Sequence, residues 1–400
     1  MIYKFAMKIY HCLISFCLMV LASACSKSDG GGSSNASLPK ASINDVSNFR
    51  SSSNSVYQFT VSLDISSTSP VSLNYATTEE TAKNGTDFKS KTGVLTIPAN
   101  SKTGVIEIEV MGDSTRKDNQ TFSIQLSNPV NCSIVAGKGV ATLINENNSY
   151  FPVANTGYST PTTYPGKTLV WSDEFSGNSI NTNFWTMEQG GNGWGNAELQ
   201  NYTDRTQNAF VSNGNLIIEA RKENYNGSNY TSARMITKAK KVFKFGRIDI
   251  RAKTPKGKGI WPALWMLGNN IDAVSWPACG EIDILELLGH EPNKIYGTLH
   301  WGVNSNTHQS KGTNYVLPSG SFDQEFHVYS ILWELDQIKI YIDDKLFFTA
   351  TKNDVSGNYP FNSDFFFIFN IAVGGNWPGS PDNTTSFPQR MVVDYVRVFQ

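Results

Sequence analysis

Between residues 41 and 147, apolar and polar positions alternate in short runs: "VYQFTVSLDI", "VSLNYAT", "TGVLTIP", "GVIEIEVMG", "TFSIQLSN" and "GVATLINEN". A period of two makes half-buried strands, and the turn residues between the runs, at short and fairly even spacing, predict an antiparallel sandwich. No helical period interrupts them. Residues 168–400 hold a second and larger set, including "GNLIIEA", "FGRIDIRAK", "ALWML", "GEIDILEL", "YGTLHWG", "FHVYSILWEL", "IKIYIDD", "FFFIFNIAV" and "VVDYVRVF". So many strands in one unit predict a two-sheet sandwich of jelly-roll type. The expected fold class is therefore all-β throughout. Residues 148–167, "NSYFPVANTGYSTPTTYPGK", are rich in Asn, Thr and Pro and read as a linker.

The N-terminal pattern is different. Lys4 and Lys8 precede the apolar run "CLISFCLMVLASA", which stops just before Cys25. A basic head, a short apolar stretch and small residues predict a secretory signal over residues 1–24. The ending "LASAC" resembles a bacterial lipobox, so Cys25 is the candidate lipidation site. One acylated terminus tethers a protein to a membrane surface rather than spanning it. Residues 25–40 carry a Gly/Ser tract that reads as a flexible tether. The expectation is an exported protein, lipid-anchored at the bacterial cell envelope, at the outer membrane.

Composition narrows the partners. A formal charge of -1 gives no basic field, which argues against nucleic acid. Of five cysteines, Cys12 and Cys17 fall in the signal and Cys25 at the lipobox. Cys132 and Cys279 fall in separate domains, so no disulfide framework is expected despite export. No Cys/His spacing suggests zinc, and a monomer is expected.

The chemistry concentrates in "GEIDILELLGH", where Glu281, Asp283 and Glu286 fall within six residues. Alternation puts Glu281 and Asp283 on one strand face, opposite Ile282 and Ile284. Strict alternation would then place Leu285 beside the acids. A bulge near Ile284–Leu285 gives two residues the space of one and returns Glu286 to the acidic face. The two glutamate Cα atoms then lie roughly 13 Å apart, four strand steps of about 3.3 Å. Their carboxyl groups can approach about 5–6 Å, near the separation of retaining glycosidases. Such a mechanism needs one ionised carboxylate to attack the anomeric carbon and one protonated acid for the leaving oxygen. A central Asp283 can hold the nucleophile and help keep its neighbour protonated.

The larger domain resembles glycoside hydrolase family sixteen across nearly all of residues 168–400. The resemblance rests on "LVWSDEFSG", "GNGWGNAELQNYT", "FGRIDIRAKTPKGKGIWPALWMLG", "GEIDILE", "GTLHWG" and "IAVGGNWPG". It implies a concanavalin A-like jelly roll with Glu281 as nucleophile, Glu286 as acid/base and Asp283 as the assisting acid. The bulged strand is similar to that of the laminarinase branch and its algal-galactan relatives. Residues 41–147 resemble a Calx-β domain, an Ig-like sandwich, through "VSLNYATTEETAKNGTDFKSKTGVLTIP", "TFSIQLSNP" and "GVATLINEN". That family commonly binds calcium through acids. Here "GDSTRKDNQTF" carries Arg116, Lys117, Asn119 and Gln120 instead, which suits calcium poorly.

The expected sugar-binding face begins at "IWPALWML", where Trp261 and Trp265 share a strand face with Ala263. Indole rings match the apolar C–H faces of sugars, although both could fill a core. Trp377, in the Gly-rich "GGNWPG", reads as an exposed platform. The family resemblance implies that His300 points into the cleft, and that Asn196, Glu198 and Arg234 bond sugar hydroxyls. Glu198 could instead orient a neighbouring loop. The resemblance also implies a structural calcium ion held by Glu174, the Gly214 carbonyl and Asp394; no cofactor is required for the chemistry. The reading is a retaining endo-β-1,3-glucanase acting on laminarin-like β-glucan. The alternatives are a glycanase on mixed-linkage glucan or an algal galactan, and a β-glucan-binding protein without turnover.

Overall fold

The computed structural model describes residues 37–146 and 148–400. The signal and lipobox readings, Cys25 included, lie outside them. Every long element described is a strand, and two sandwiches follow one another along the chain. The first packs a four-stranded sheet centred on Ser55–Leu63 against a five-stranded sheet centred on Gln120–Val130. The predicted alternation explains the core: in Ser55–Leu63, Tyr57, Phe59, Val61 and Leu63 point inward and are buried. Phe88 and Phe122 stack at 4.2 Å in its centre. At one end, Asp87 and Asp113 are gripped by Arg50 and Lys117 rather than left open as an acidic cluster. Two side-chain cations stand where a bound ion would have to compete.

The second sandwich packs a ten-stranded sheet against a seven-stranded one. In the seven-stranded sheet Ile260–Gly268 lies between Phe365–Val373 and Glu281–Leu287, and Glu281–Leu287 pairs in turn with Lys294–Trp301. Leu264, Met266, Ile282, Leu285, Leu287 and Leu299 enter the core between the sheets. The positions alternating with them, including Trp261, Ala263 and Trp265, are left on the outer face, where they line a cleft.

Residues 148–167 are not a loose connection. Phe151 and Val153 pack on Phe210, Ile217, Phe326 and Val392. Tyr158 and Tyr164 donate their hydroxyls to Asp344 and Asp249, and the Thr160 amide donates to the Tyr395 hydroxyl. Gly157 runs so close to Phe326 that an added Cβ would lie 2.1 Å from its carbonyl oxygen. The segment is a belt bound to the ten-stranded sheet. Arg116 of the first sandwich completes the junction: it reaches 3.0 Å to the buried Glu219 carboxylate and lies over the Phe210 ring. Glu219 also holds Arg221 and Arg390, at 2.8 and 2.7 Å.

The expected calcium ligands do not form an open donor set. Arg397 donates twice to Glu174, and Arg251 pairs with Asp394. Gly214 occupies the turn between the Ala209–Ser212 and Asn215–Tyr225 strands, at φ +73°. Calcium needs several free oxygens, preferably carboxylates. Here two guanidinium groups already supply the positive charge, so these residues do not fit the ion, and the expectation is corrected on that ground.

Candidate active site

The acidic strand carries the bulge its spacing predicts. Against Ile260–Gly268, Leu264 faces Leu285 and Trp265 faces Asp283, so Ile284 is the inserted residue. The pairing with Lys294–Trp301 slips at the same place. Ile284 and Leu285 both sink into the core, while Glu281, Asp283 and Glu286 all line the outer cleft. The cleft holds about 610 Å³, enough for sugar rings rather than for a single small ion.

Each acid has its own donors. The Trp276 indole donates to Glu281 Oε2 at 2.9 Å, and the Trp261 indole to Glu286 Oε1 at 3.1 Å. His300 Nε2 lies 3.2 Å from Asp283 Oδ2 and 3.9 Å from Glu281 Oε1. Burial, reinforced by the Asp283 charge, pushes the Glu281 carboxyl up to about 8; His300, the Trp276 indole and Arg234 pull the other way. Glu286 is raised well above the carboxylate range, first by burial and then by Asp283 and Glu281. Asp283 is also raised by burial, opposed by the neighbouring Glu281 carboxyl. Three acids confined this closely cannot all ionise freely, which is the condition for dividing nucleophile from proton donor.

This arrangement costs stability, with a definite pH sign. A carboxyl held at about 8 in the fold, against an ordinary 4.5, binds its proton more tightly folded than unfolded. Its contribution is therefore lost as pH rises through that window. Glu281→Gln is expected to melt near wild type at about pH 4 and progressively above it toward pH 8. Melting curves across that range check this, and a gap that does not change with pH would contradict it.

The predicted sugar-binding residues converge on the same cleft: Asn196, Glu198, Arg234, Trp261, Trp265, His300 and Trp377 all line it. The structure adds what holds them. Trp265 donates to Asn370, Asn370 to the Tyr202 hydroxyl, and Tyr202 to Glu198, a chain that keeps the indole edge fixed and its face open. Burial raises the Glu198 carboxyl, while donors from Gln200, Asn196 and Tyr202 oppose it. Arg234 lies across both Trp194 and Trp265, at 5.0 and 4.8 Å from the ring centres, and pairs with Glu188. Trp377, 40% exposed, meets Trp261 and Tyr296 edge-on, and its loop is tied by the Asn376 amide to the Asn196 carbonyl.

Sequence reasoning missed Trp194, Trp276, Tyr296, Asn370 and His308 as cleft residues. Trp276 had a signal, a tryptophan beside Pro277 just upstream of the acidic strand. Asn370 had none, since it sits inside the apolar run "FFFIFNIAV" and reaches the cleft only through sheet pairing.

Comparison with known proteins agrees with this geometry. The model for glycosyl hydrolases family 16 matches residues 196–397, and that for the Calx-beta domain matches residues 44–147. A glucan endo-1,3-beta-glucosidase A1 from Niallia circulans is 41% identical, over 59% of this chain and 38% of its own length. A beta-glucanase from Rhodothermus marinus is 42% identical, over 58% of this chain and 85% of its own. Among solved structures, the laminarinase catalytic domain from Thermotoga maritima MSB8 superposes with a TM-score of 0.56 at 50% identity. The match covers 58% of this chain and 98% of that one. With its three acids inside the matched region, the chain belongs to glycosyl hydrolases family 16.

Proposed function

We propose that this chain is an endo-β-1,3-glucanase that cleaves laminarin-like glucan with retention of anomeric configuration. The observation that carries the reading is the bulged strand, which brings Glu281, Asp283 and Glu286 to one wall of an indole-lined cleft. Glu281, held by Trp276 and 3.9 Å from His300, is the nucleophile. Glu286, raised well above the carboxylate range, is the proton donor and later the base. Asp283, whose carboxylate lies within 4.8 Å of that of Glu281, is the assisting acid. Trp261, Trp265 and Trp377 supply faces for glucose rings, and Asn196, Glu198 and Arg234 supply polar contacts to hydroxyls. The names of the relatives, glucanases and laminarinases, favour β-1,3-glucan over a galactan. From the N-terminal sequence we carry the further reading of an exported enzyme tethered through Cys25, and we expect a monomer.

The test is product analysis on laminarin, mixed-linkage β-glucan and agarose, with anomers followed by proton NMR. Short laminarin oligosaccharides whose β-anomer appears first are expected. Cleavage of another polymer with laminarin left whole would overturn the substrate, and an α-anomer appearing first would overturn retention.

A further inference from the structure

A second histidine stands behind His300. His308 ends the short turn after strand Lys294–Trp301, and its Nε2 lies 2.8 Å from His300 Nδ1. The two rings are nearly parallel, 19° apart, with centres 5.0 Å apart. The Trp276 ring, whose indole N–H holds Glu281, sits 4.8 Å from the His308 ring. His308 is therefore hydrogen-bonded to His300, whose Nε2 lies 3.2 Å from Asp283 Oδ2. The turn is built to hold it. Thr307 Oγ1 accepts the Val303 and Asn304 amides, both at 3.0 Å, and Asn304 Oδ1 accepts the Asn306 amide. Gly302, at φ +150°, lets the chain fold back where a Cβ would lie 2.6 Å from the Thr307 carbonyl oxygen.

We propose that His308 is a positioning residue for hydrolysis: its hydrogen bond to His300 fixes that ring with Nε2 beside Asp283 and the nucleophile. This rests on the reading of Glu281 as nucleophile. A protonated imidazole has two N–H donors. Nε2 lies 3.2 Å from Asp283 Oδ2, and the donor on Nδ1 needs an acceptor, which His308 Nε2 provides. Burial, with the His300 charge, holds His308 below the ordinary histidine range and so preserves that lone pair. Charge on His300 in turn draws down both Glu281 and Glu286. The titratable and charged groups facing this pair are Glu281, Asp283 and Glu286 on the acidic strand, Arg234 across the cleft, and Cys279 beside Glu281. The charged neighbour that acts on His308 is His300.

The experiment measures kcat/KM against pH on laminarin for wild type, His308→Ala and His308→Gln, with Glu281→Ala alongside. Glutamine places a hydrogen-bonding amide near the position of Nε2 but does not titrate. His308→Ala is expected to lose about tenfold in kcat/KM, the usual order for removing a group that orients a reacting one. Its acid limb should move up by roughly half a pH unit, because Glu281 ionises later once the His300 ring is no longer fixed beside it. His308→Gln should recover the limb and most of the rate. A lower rate in His308→Ala with an unmoved acid limb, or no recovery in His308→Gln, overturns the proposal. Wild-type-like activity in Glu281→Ala overturns instead the catalytic reading beneath it.

Discussion

Glu281→Ala is expected to lower turnover of β-1,3-glucan by roughly four to six orders of magnitude, the scale seen when a catalytic nucleophile is removed. The protein should still fold. The lost side chain lies on the cleft wall rather than between the sheets, and its raised carboxyl opposed folding at neutral pH. Glu286→Ala should also abolish polymer cleavage, yet keep the first step on an activated aryl glycoside, whose leaving group needs no proton. Added azide separates the two roles. In Glu281→Ala it takes the place of the missing carboxylate and gives an α-glycosyl azide. In Glu286→Ala it attacks the glycosyl-enzyme and gives the β-product. Exchange of the two configurations would exchange the assignments. Wild-type-like turnover in either variant would remove the retaining mechanism altogether.

The second large effect lies far from the cleft. Glu219 is fully buried and is the shared anion for Arg116, Arg221 and Arg390. Glu219→Gln keeps the shape and removes the charge, leaving three guanidinium groups crowded without their common partner. Removing one partner of a buried ion pair costs about 3–5 kcal/mol. For a domain of this size that corresponds to a fall in the melting midpoint of roughly 6–12 °C or more. Because the pair is buried, salt should change the effect little. Adding Arg116→Met should restore part of the loss by removing one of the uncompensated cations. A Glu219→Gln midpoint within a degree of wild type would mean that the cluster does not hold the two sandwiches together.

The catalytic strand was legible because its information is local. Period-two alternation, three acids and one extra residue specify the bulge at Ile284, since a one-residue error would bury Glu286 and expose a leucine. Trp261 and Trp265 were legible for the same reason, being two residues either side of Ala263 on an alternating strand. The all-β class followed from the same periodicity, as did the division into two sandwiches.

What required the tertiary structure was every feature made by distant residues. Arg116 and Glu219 lie 103 positions apart, and Glu174 and Arg397 lie 223 apart. No local pattern shows that a guanidinium will reach a carboxylate otherwise read as a calcium ligand. Residues 148–167 have a linker's composition, yet Phe151 and Val153 find apolar ground on Phe210 and Phe326, and the segment becomes a belt. The ring of His308 meets His300 only because the turn closes on Gly302. The sequence by itself determined which strands would form and which faces would carry charge, because side-chain alternation is a property of each strand alone. Which charges would meet was decided by the packing of sheets, where neighbours in space are not neighbours in the chain.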